Sequence, residues 1–367
     1  MSEPNMSFPG WPVYAQDEMD AVRDVLASGK VNYWTGSHGR AFEHEFADYH
    51  GGGFAVALAN GTLALEIGLR ALGIGPGDDV IVPCRTFIAT ASAVAAVGAR
   101  PVVADVDPIS GNITAETISA AMTGATRAVI VVHLGGWPCE MDEIMSLTHT
   151  HGLKLVEDCA QAVGAEYRRR KVGTFGDAGA FSFCQDKIIS TGGEGGMLLL
   201  QDQALWKRCW SYKDHGKNPD KALHSVAGGS FVWLHDGFGS NARMTEMQAS
   251  IGRVQLAKLD AWIEQRRSNA TVLLDGLVGV PGIRVDRPEE YMKHVYYRCY
   301  MYVQQGALLA DWNRDRVVAQ CSEKGLPCYQ GSCSEIYCEQ AFEKAHLAPE
   351  KQLPAAHGLS ESSFCLL

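Results

Sequence analysis

The sequence predicts an α/β fold: a large domain on a mostly parallel seven-stranded sheet sandwiched by helices, then a smaller C-terminal α+β domain. Three observations carry this. Short apolar runs alternate with helix-length segments between residues 54 and 202. The runs are apolar throughout rather than at every second position, the pattern of strands covered on both faces. After residue 202 the alternation stops, and one long amphipathic segment leads into a mixture of short elements. A chain of 367 residues suits two domains, and the division is placed at 1–250 and 251–367.

In chain order the strand candidates are FAVALA from Phe54, DVIVPC from Asp79, RPVVADV from Arg100, RAVIVVHL from Arg127, LKLVEDC from Leu153, AGAFSFC from Ala178 and GGMLLLQ from Gly195. GTLALEIGLRALG, FIATASAVAAVGA, ITAETISAAMTGA and EMDEIMSLTHTHG lie between the earlier ones. Each is long enough for a crossover helix, and several end in the glycine that stops a helix. No helix separates the last two strands, so that pair is expected to be antiparallel. TEMQASIGRVQLAKLDAWIEQRRSNATVLLDGL reads as one helix, with Thr245 and Gln248 at capping-box spacing. Beyond Gly282 the VYYRCYMYV run reads as a strand. The chain stops at ESSFCLL, in a strand-like run, which leads us to expect further C-terminal residues.

Composition narrows the function classes. Hydrophobic residues make up 46% and charged residues 20%, a globular balance that excludes general disorder. The formal net charge of −10 argues against a nucleic-acid partner. Eleven cysteines, many inside apolar runs and none in a C-x-x-C, imply a reducing, cytoplasmic setting. The five-residue spacing of Cys328, Cys333 and Cys338 is not a zinc pattern, and no metal is expected. The N-terminus lacks the pattern of a secretory leader, and no apolar run is long enough for a membrane partner.

Open α/β sheets collect ligands outside the carboxyl ends of their strands. Asn60-Gly61-Thr62 follows the first strand and opens a helix, where free N–H groups favour an anion; capping alone also explains the triplet. Arg85, Thr86 and Phe87 follow the second, Gly135-Gly136-Trp137 the fourth. Phe87 serves either the core or the face of a planar ring. Asp158 ends the fifth strand, followed by Gln161. A carboxylate there either bonds local backbone or pairs with a protonated ring nitrogen. Ser182 and Lys187 close the sixth, before the glycine-rich TGGEGG. Partial withdrawal of an ammonium group from water favours its free amine, which condenses with an aldehyde. Phosphate turn, ring-stacking aromatic, acid and lysine follow in the order that a pyridoxal 5′-phosphate enzyme of the aspartate-aminotransferase fold supplies them.

From about Pro12 to its end the sequence resembles the DegT/DnrJ/StrS family of sugar aminotransferases. The likeness rests on SGKVNYWTGSHGRAFEHEFADYHG, ANGTLAL, VIVPCRTFIATASAV, VEDCAQAVGA, FGDAGAFSFCQDKIISTGGEGG, KDHGK and GSNARMTEMQASIG. It implies pyridoxal 5′-phosphate held by Lys187 through a Schiff base. It further implies Asp158 on the pyridine nitrogen, Gln161 near the 3-hydroxyl, Phe87 on the ring, and Gly61, Thr62 and Ser182 on the phosphate. Asn241 would reach that phosphate from the other subunit of a homodimer, and Arg243 would meet a carboxylate of the donor. The donor would be glutamate or glutamine. The acceptor would be a keto-sugar linked to a nucleotide diphosphate, in polysaccharide, O-antigen or secondary-metabolite biosynthesis. Lys30, Arg243 and His215 are candidates for holding its diphosphate, and Tyr296, Tyr297 and Tyr329 for lining the sugar pocket or, equally, packing a strand. Family chains continue past the final strand with a further helix that this sequence lacks.

Rival readings are a sugar dehydratase or aromatising enzyme of the same fold, a non-catalytic sensor, and a dinucleotide-binding oxidoreductase. Dehydratases of the group carry histidine where this chain has Lys187. The stretch ANGTLALEIG after the first strand is not G-x-G-x-x-G.

Overall fold

The computed structural model describes residues 10–224 and 233–366. Two helices, Gln16–Ser28 and His38–Tyr49, precede the first strand. The strands are β1 (Phe54–Leu58), β2 (Asp79–Pro83), β3 (Arg100–Ala104), β4 (Thr126–Val132), β5 (Lys154–Asp158), β6 (Glu166–Tyr167), β7 (Arg170–Lys171), β8 (Ala178–Ser182), β9 (Gly196–Leu200), β10 (Ile283–Arg284), β11 (Met292–Lys293), β12 (Cys299–Val303), β13 (Cys328–Tyr329) and β14 (Ser363–Leu366).

Seven of them form the central sheet, in the order β1-β9-β8-β5-β4-β2-β3. All seven expected strands are present, and β9 pairs antiparallel with both β8 and β1 while the other pairings are parallel. Continuous apolar sequence follows from cover on both faces. Val56, Leu58, Val80 and Val82 pack towards the helix Gly61–Ala71, whereas Ala55, Ala57 and Leu199 meet Phe42 and Phe46 of the helix His38–Tyr49. The crossover helices Gly61–Ala71, Ala89–Ala96, Ala115–Ala121 and Met141–His151 join the parallel strands. The last ends on Gly152, whose φ of 63° lets its N–H reach back to Thr148 and His149 carbonyls.

The helix Glu246–Leu277 starts at a capping box, with Gln248 N–H donating to the Thr245 hydroxyl and Thr245 N–H to the Gln248 side chain. Its first half buries Ala249, Leu256 and Leu259 against the central sheet, and its second half buries Ala270 and Leu274 against a smaller sheet of order β10-β12-β14-β13. One helix thus ties the two sheets together, and the 250/251 division falls within its first turns. A three-stranded sheet of order β11-β6-β7 packs its Tyr167 and Met292 with Val129 and Leu155 of the central sheet. No helix among the described residues is long and apolar enough to cross a membrane.

Candidate active site

The carboxyl ends of β5 and β8, the turns after β1 and β2, and the start of β12 enclose a cavity of about 900 Å³. It is lined by Gly61, Thr62, Phe87, Asp158, Gln161, Ser182 and Lys187, so seven residues singled out in the sequence share one wall.

Lys187 lies in the turn after β8, where its backbone N–H bonds the Cys184 carbonyl. Its side chain is 15% exposed; Nζ donates to Tyr297 Oη at 3.3 Å and lies 3.7 Å from Asp186 Oδ1. The Tyr297 hydroxyl donates to Asp186 Oδ2, and burial pushes its pKa up while Asp186 is held below the usual carboxylate range despite burial, chiefly by Lys187. Asp158 is buried at the end of β5, its Oδ2 accepting from Thr90 Oγ1 at 2.9 Å and Oδ1 from Ala160 N–H at 3.1 Å. Desolvation raises its pKa above the ordinary range, so a cation placed against it would be strongly held. Gln161 is fixed by accepting the Gly135 N–H at 2.7 Å, which leaves Nε2 as its donor.

The phosphate turn rests on glycine for a steric reason. A Cβ on Gly61 would lie 2.7 Å from Ser182 Cβ, and one on Gly196 would lie 2.4 Å from the Asn60 carbonyl. These two glycines let the helix start press against the ends of β8 and β9. Asn60 caps that helix by accepting the Leu63 N–H at 2.9 Å, so the N–H groups of Gly61 and Thr62 remain for an anion beside Ser182. Phe87 is 67% exposed on the cavity wall, an apolar cost that a planar ring lying on it would remove. An anion cradle, an exposed aromatic face, a desolvated carboxylate and a sheltered amine together fit pyridoxal 5′-phosphate.

Other candidates lie elsewhere. Asn241 and His215 are exposed, and Lys30 is exposed beyond the first helix. Arg243 is held by the buried Asp214 at 2.5 Å, and Asp214 forms a β-bridge to Asn241. None of these four lines the cavity of its own chain, nor does Tyr329, which is 48% exposed on β13. Arg85 is wholly buried, its guanidinium 4.9 Å from the Tyr300 ring centre. Tyr296 turns away to stack on His294, while Tyr297 enters the site.

Sequence reasoning missed Thr90, Asp186 and Arg298. Thr90 had a signal: it stands four residues after Thr86, near the start of the helix Ala89–Ala96, and their hydroxyls bond at 2.9 Å. Among the described residues His133, Glu157 and Cys159 form the one cluster of metal-ligating side chains. Its imidazole and carboxylate atoms are occupied. His133 Nδ1 accepts the Cys139 N–H, so Nε2 donates to Glu157 at 3.1 Å, and Glu157 also accepts the N–H groups of Gly173, Phe175 and Gly176.

A family model described as the DegT/DnrJ/EryC1/StrS aminotransferase family matches residues 12–367. The chain is 37% identical over 355 residues to the L-glutamine:2-deoxy-scyllo-inosose aminotransferase of Streptomyces fradiae, covering 94% of this chain and 83% of the relative. It is 43% identical over 283 residues to the UDP-N-acetyl-3-dehydro-alpha-D-glucosamine 3-aminotransferase of Acidithiobacillus ferrooxidans, covering 76% and 73%. Among solved structures, an aminotransferase from Psychrobacter cryohalolentis superposes with a TM-score of 0.96 at 48% identity, over 98% of this chain and 93% of that one.

Proposed function

Because the chain belongs to the DegT/DnrJ/EryC1/StrS aminotransferase family, whose cofactor is pyridoxal 5′-phosphate, we propose that it moves an amino group from glutamate or glutamine to a keto-sugar carried on a nucleotide diphosphate. The observation that carries this reading is the convergence of Lys187, Asp158, Phe87 and the Gly61 turn on one cavity. The nucleotide-linked acceptor is supported by the relative named for a UDP-linked 3-keto sugar, and glutamine as donor by the relative that uses it on a keto-cyclitol.

When bound, the cofactor supplies an electron-withdrawing ring that lets an amino acid release its α-proton. The chain's own residues do the rest. Gly61, Thr62 and Ser182 would hold the phosphate, Phe87 a ring face, and Asp158 a proton on the ring nitrogen. Gln161 Nε2 would donate to the 3-hydroxyl. Lys187 Nζ, steadied by Tyr297 and Asp186, is the group placed to take and return the α-proton.

We further propose a homodimer in which Asn241, Arg243, His215 and Lys30 serve the partner's cavity, since none of them lines the cavity of its own chain. Under this reading the long helix joins a cofactor domain (1–250) to a smaller domain (251–367), and the half-exposed Tyr329 borders the acceptor. All eleven cysteines are free, which fits a cytoplasmic setting.

The test is chemical. Borohydride treatment of the protein loaded with cofactor should leave a stable adduct on the peptide containing Lys187. Adding L-glutamate or L-glutamine should bleach the visible band, and a UDP-linked 3-keto sugar should restore it. An unmodified Lys187 peptide, or a band indifferent to every donor, rules the proposal out.

A further inference from the structure

The cavity contains a second cation beside Lys187. Arg298, immediately before β12, lines it with a side chain 18% exposed. Its Nη2 donates to Tyr297 Oη at 3.4 Å, and Lys187 Nζ meets the same oxygen at 3.3 Å. The two cations therefore stand one hydrogen bond either side of a single phenol. The backbone fixes this placement: Arg298 N–H bonds the Gly135 carbonyl at 3.1 Å, in the turn after β4, and the guanidinium lies 5.0 Å from the Tyr297 ring centre.

The carboxylate paired with this guanidinium, Asp186, makes only a loose contact. Asp186 Oδ2 is 3.6 Å from Nη2, beyond hydrogen-bond reach; its carboxylate is half exposed and shared with Tyr297 and Lys187. The buried Cys365 thiol and the Tyr300 phenol are further neighbours. A planar fork held in place, partly shielded from water and lacking a bidentate acceptor is suited to a carboxylate. An amino acid carries its carboxylate two bonds from the nitrogen that must approach Lys187, so that anion arrives beside Lys187 whatever the side chain. A sugar's diphosphate lies several bonds further from the reacting carbon. Arg243 is already engaged by Asp214 at 2.5 Å and lies outside this cavity.

We propose that Arg298 is the binding residue for the α-carboxylate of the amino donor, with the Tyr297 hydroxyl as the spacer that sets the carboxylate's distance from the Lys187 amine. This rests on the aminotransferase reading above.

The experiment uses the holoenzyme and its Arg298→Met and Arg298→Lys variants. Wild type comes first: donor-dependent bleaching must be seen, and its absence defeats the aminotransferase reading before Arg298 is at issue. Given bleaching, Arg298→Met should lower kcat/KM for L-glutamate about 10- to 1,000-fold, the loss expected for one or two charge-assisted bonds. Arg298→Lys should recover part of this, and the KM of the keto-sugar should change less than about twofold in both. Calorimetry with glutarate, a dicarboxylate without an amine, should show binding to wild type, competitive with glutamate, and loss of that binding in Arg298→Met. A rise in acceptor KM with donor kinetics intact overturns the assignment, as does unchanged donor kinetics. Should Arg298→Met fail to fold, Arg298→Lys decides alone: full donor efficiency with intact glutarate binding refutes the proposal, and weakened binding of both supports it.

Discussion

Asp158→Asn should stabilise the cofactor-free protein and weaken the loaded one. The carboxylate is buried, and desolvation, the largest influence on it, raises its pKa against the opposing pull of Ala160 N–H, Thr90, Lys187 and His133. An acid whose pKa is higher folded than unfolded costs stability as pH rises from the unfolded value, and the cost is complete above the folded one. At neutral pH the apo fold therefore carries a penalty that asparagine lacks. Asparagine can keep both contacts. Its Oδ1 accepts the Ala160 N–H, and its Nδ2 donates to Thr90 Oγ1, whose hydroxyl turns to Thr86 at 2.9 Å. What is lost is charge assistance on two bonds, about 2–3 kcal/mol, against a desolvation cost of several kcal/mol. The net expectation is apo stabilisation of about 1–3 kcal/mol, a rise in Tm of roughly 1–5 °C at pH 7 that shrinks as pH falls towards 4. With cofactor the sign reverses. Removing one partner of a buried charge pair costs about 3–5 kcal/mol, so cofactor affinity should fall some hundred- to thousandfold and the cofactor-induced rise in Tm with it. Differential scanning calorimetry of both proteins, resolved and reloaded, checks this. An apo variant less stable than wild type at pH 7 would refute the argument.

Gly61→Ala should cost cofactor affinity more than fold. Its Cβ would meet Ser182 Cβ at 2.7 Å and Cα at 3.1 Å, so the helix start must retreat from β8; overpacking of this kind costs about 1–3 kcal/mol, and a cofactor titration should weaken more than tenfold while the fold persists. His294→Asn tests the acid limb of stability. Burial lowers the His294 pKa to about 3, so the unfolded chain takes up a proton that the fold refuses, and stability falls as pH drops from about 6.5. Denaturant melts between pH 6 and 4 should lose up to about 1.4 kcal/mol per pH unit of slope in the variant; an unchanged slope removes His294 from the account. The buried His50, lowered to about 4, keeps its own share of the slope in both proteins.

The seven central strands were legible because each is a short run buried on both faces, and chain order then places Gly61, Phe87, Asp158 and Lys187 at one end of the sheet. The legible part of the site is the part that a single parallel sheet arranges. Arg298 was not legible, since it meets Lys187 only through Tyr297, which lies 110 residues after Lys187, in the segment just before a strand of the second sheet. Its local pattern also misleads. The tyrosines of VYYRCYMYV read as strand, yet Tyr296 takes a φ of 47° and stacks on His294, so the strand begins only at Cys299. That kink aims Tyr297 and Arg298 into the cavity, whereas unbroken alternation would have set them on opposite faces of a sheet. The hairpin between β6 and β7 was hidden for a related reason: Arg168 and Arg169 both take positive φ where glycine or asparagine usually marks such a turn. KDHGK and GSNARM form a third case. The sequence groups them by motif and the fold groups them around Asp214, yet none of them lines their own chain's cavity. On the proposed homodimer, a second copy of the chain would give that grouping a ligand to hold. A gel-filtration mass of one subunit for the active, loaded enzyme would therefore leave Asn241 and Arg243 without a catalytic role.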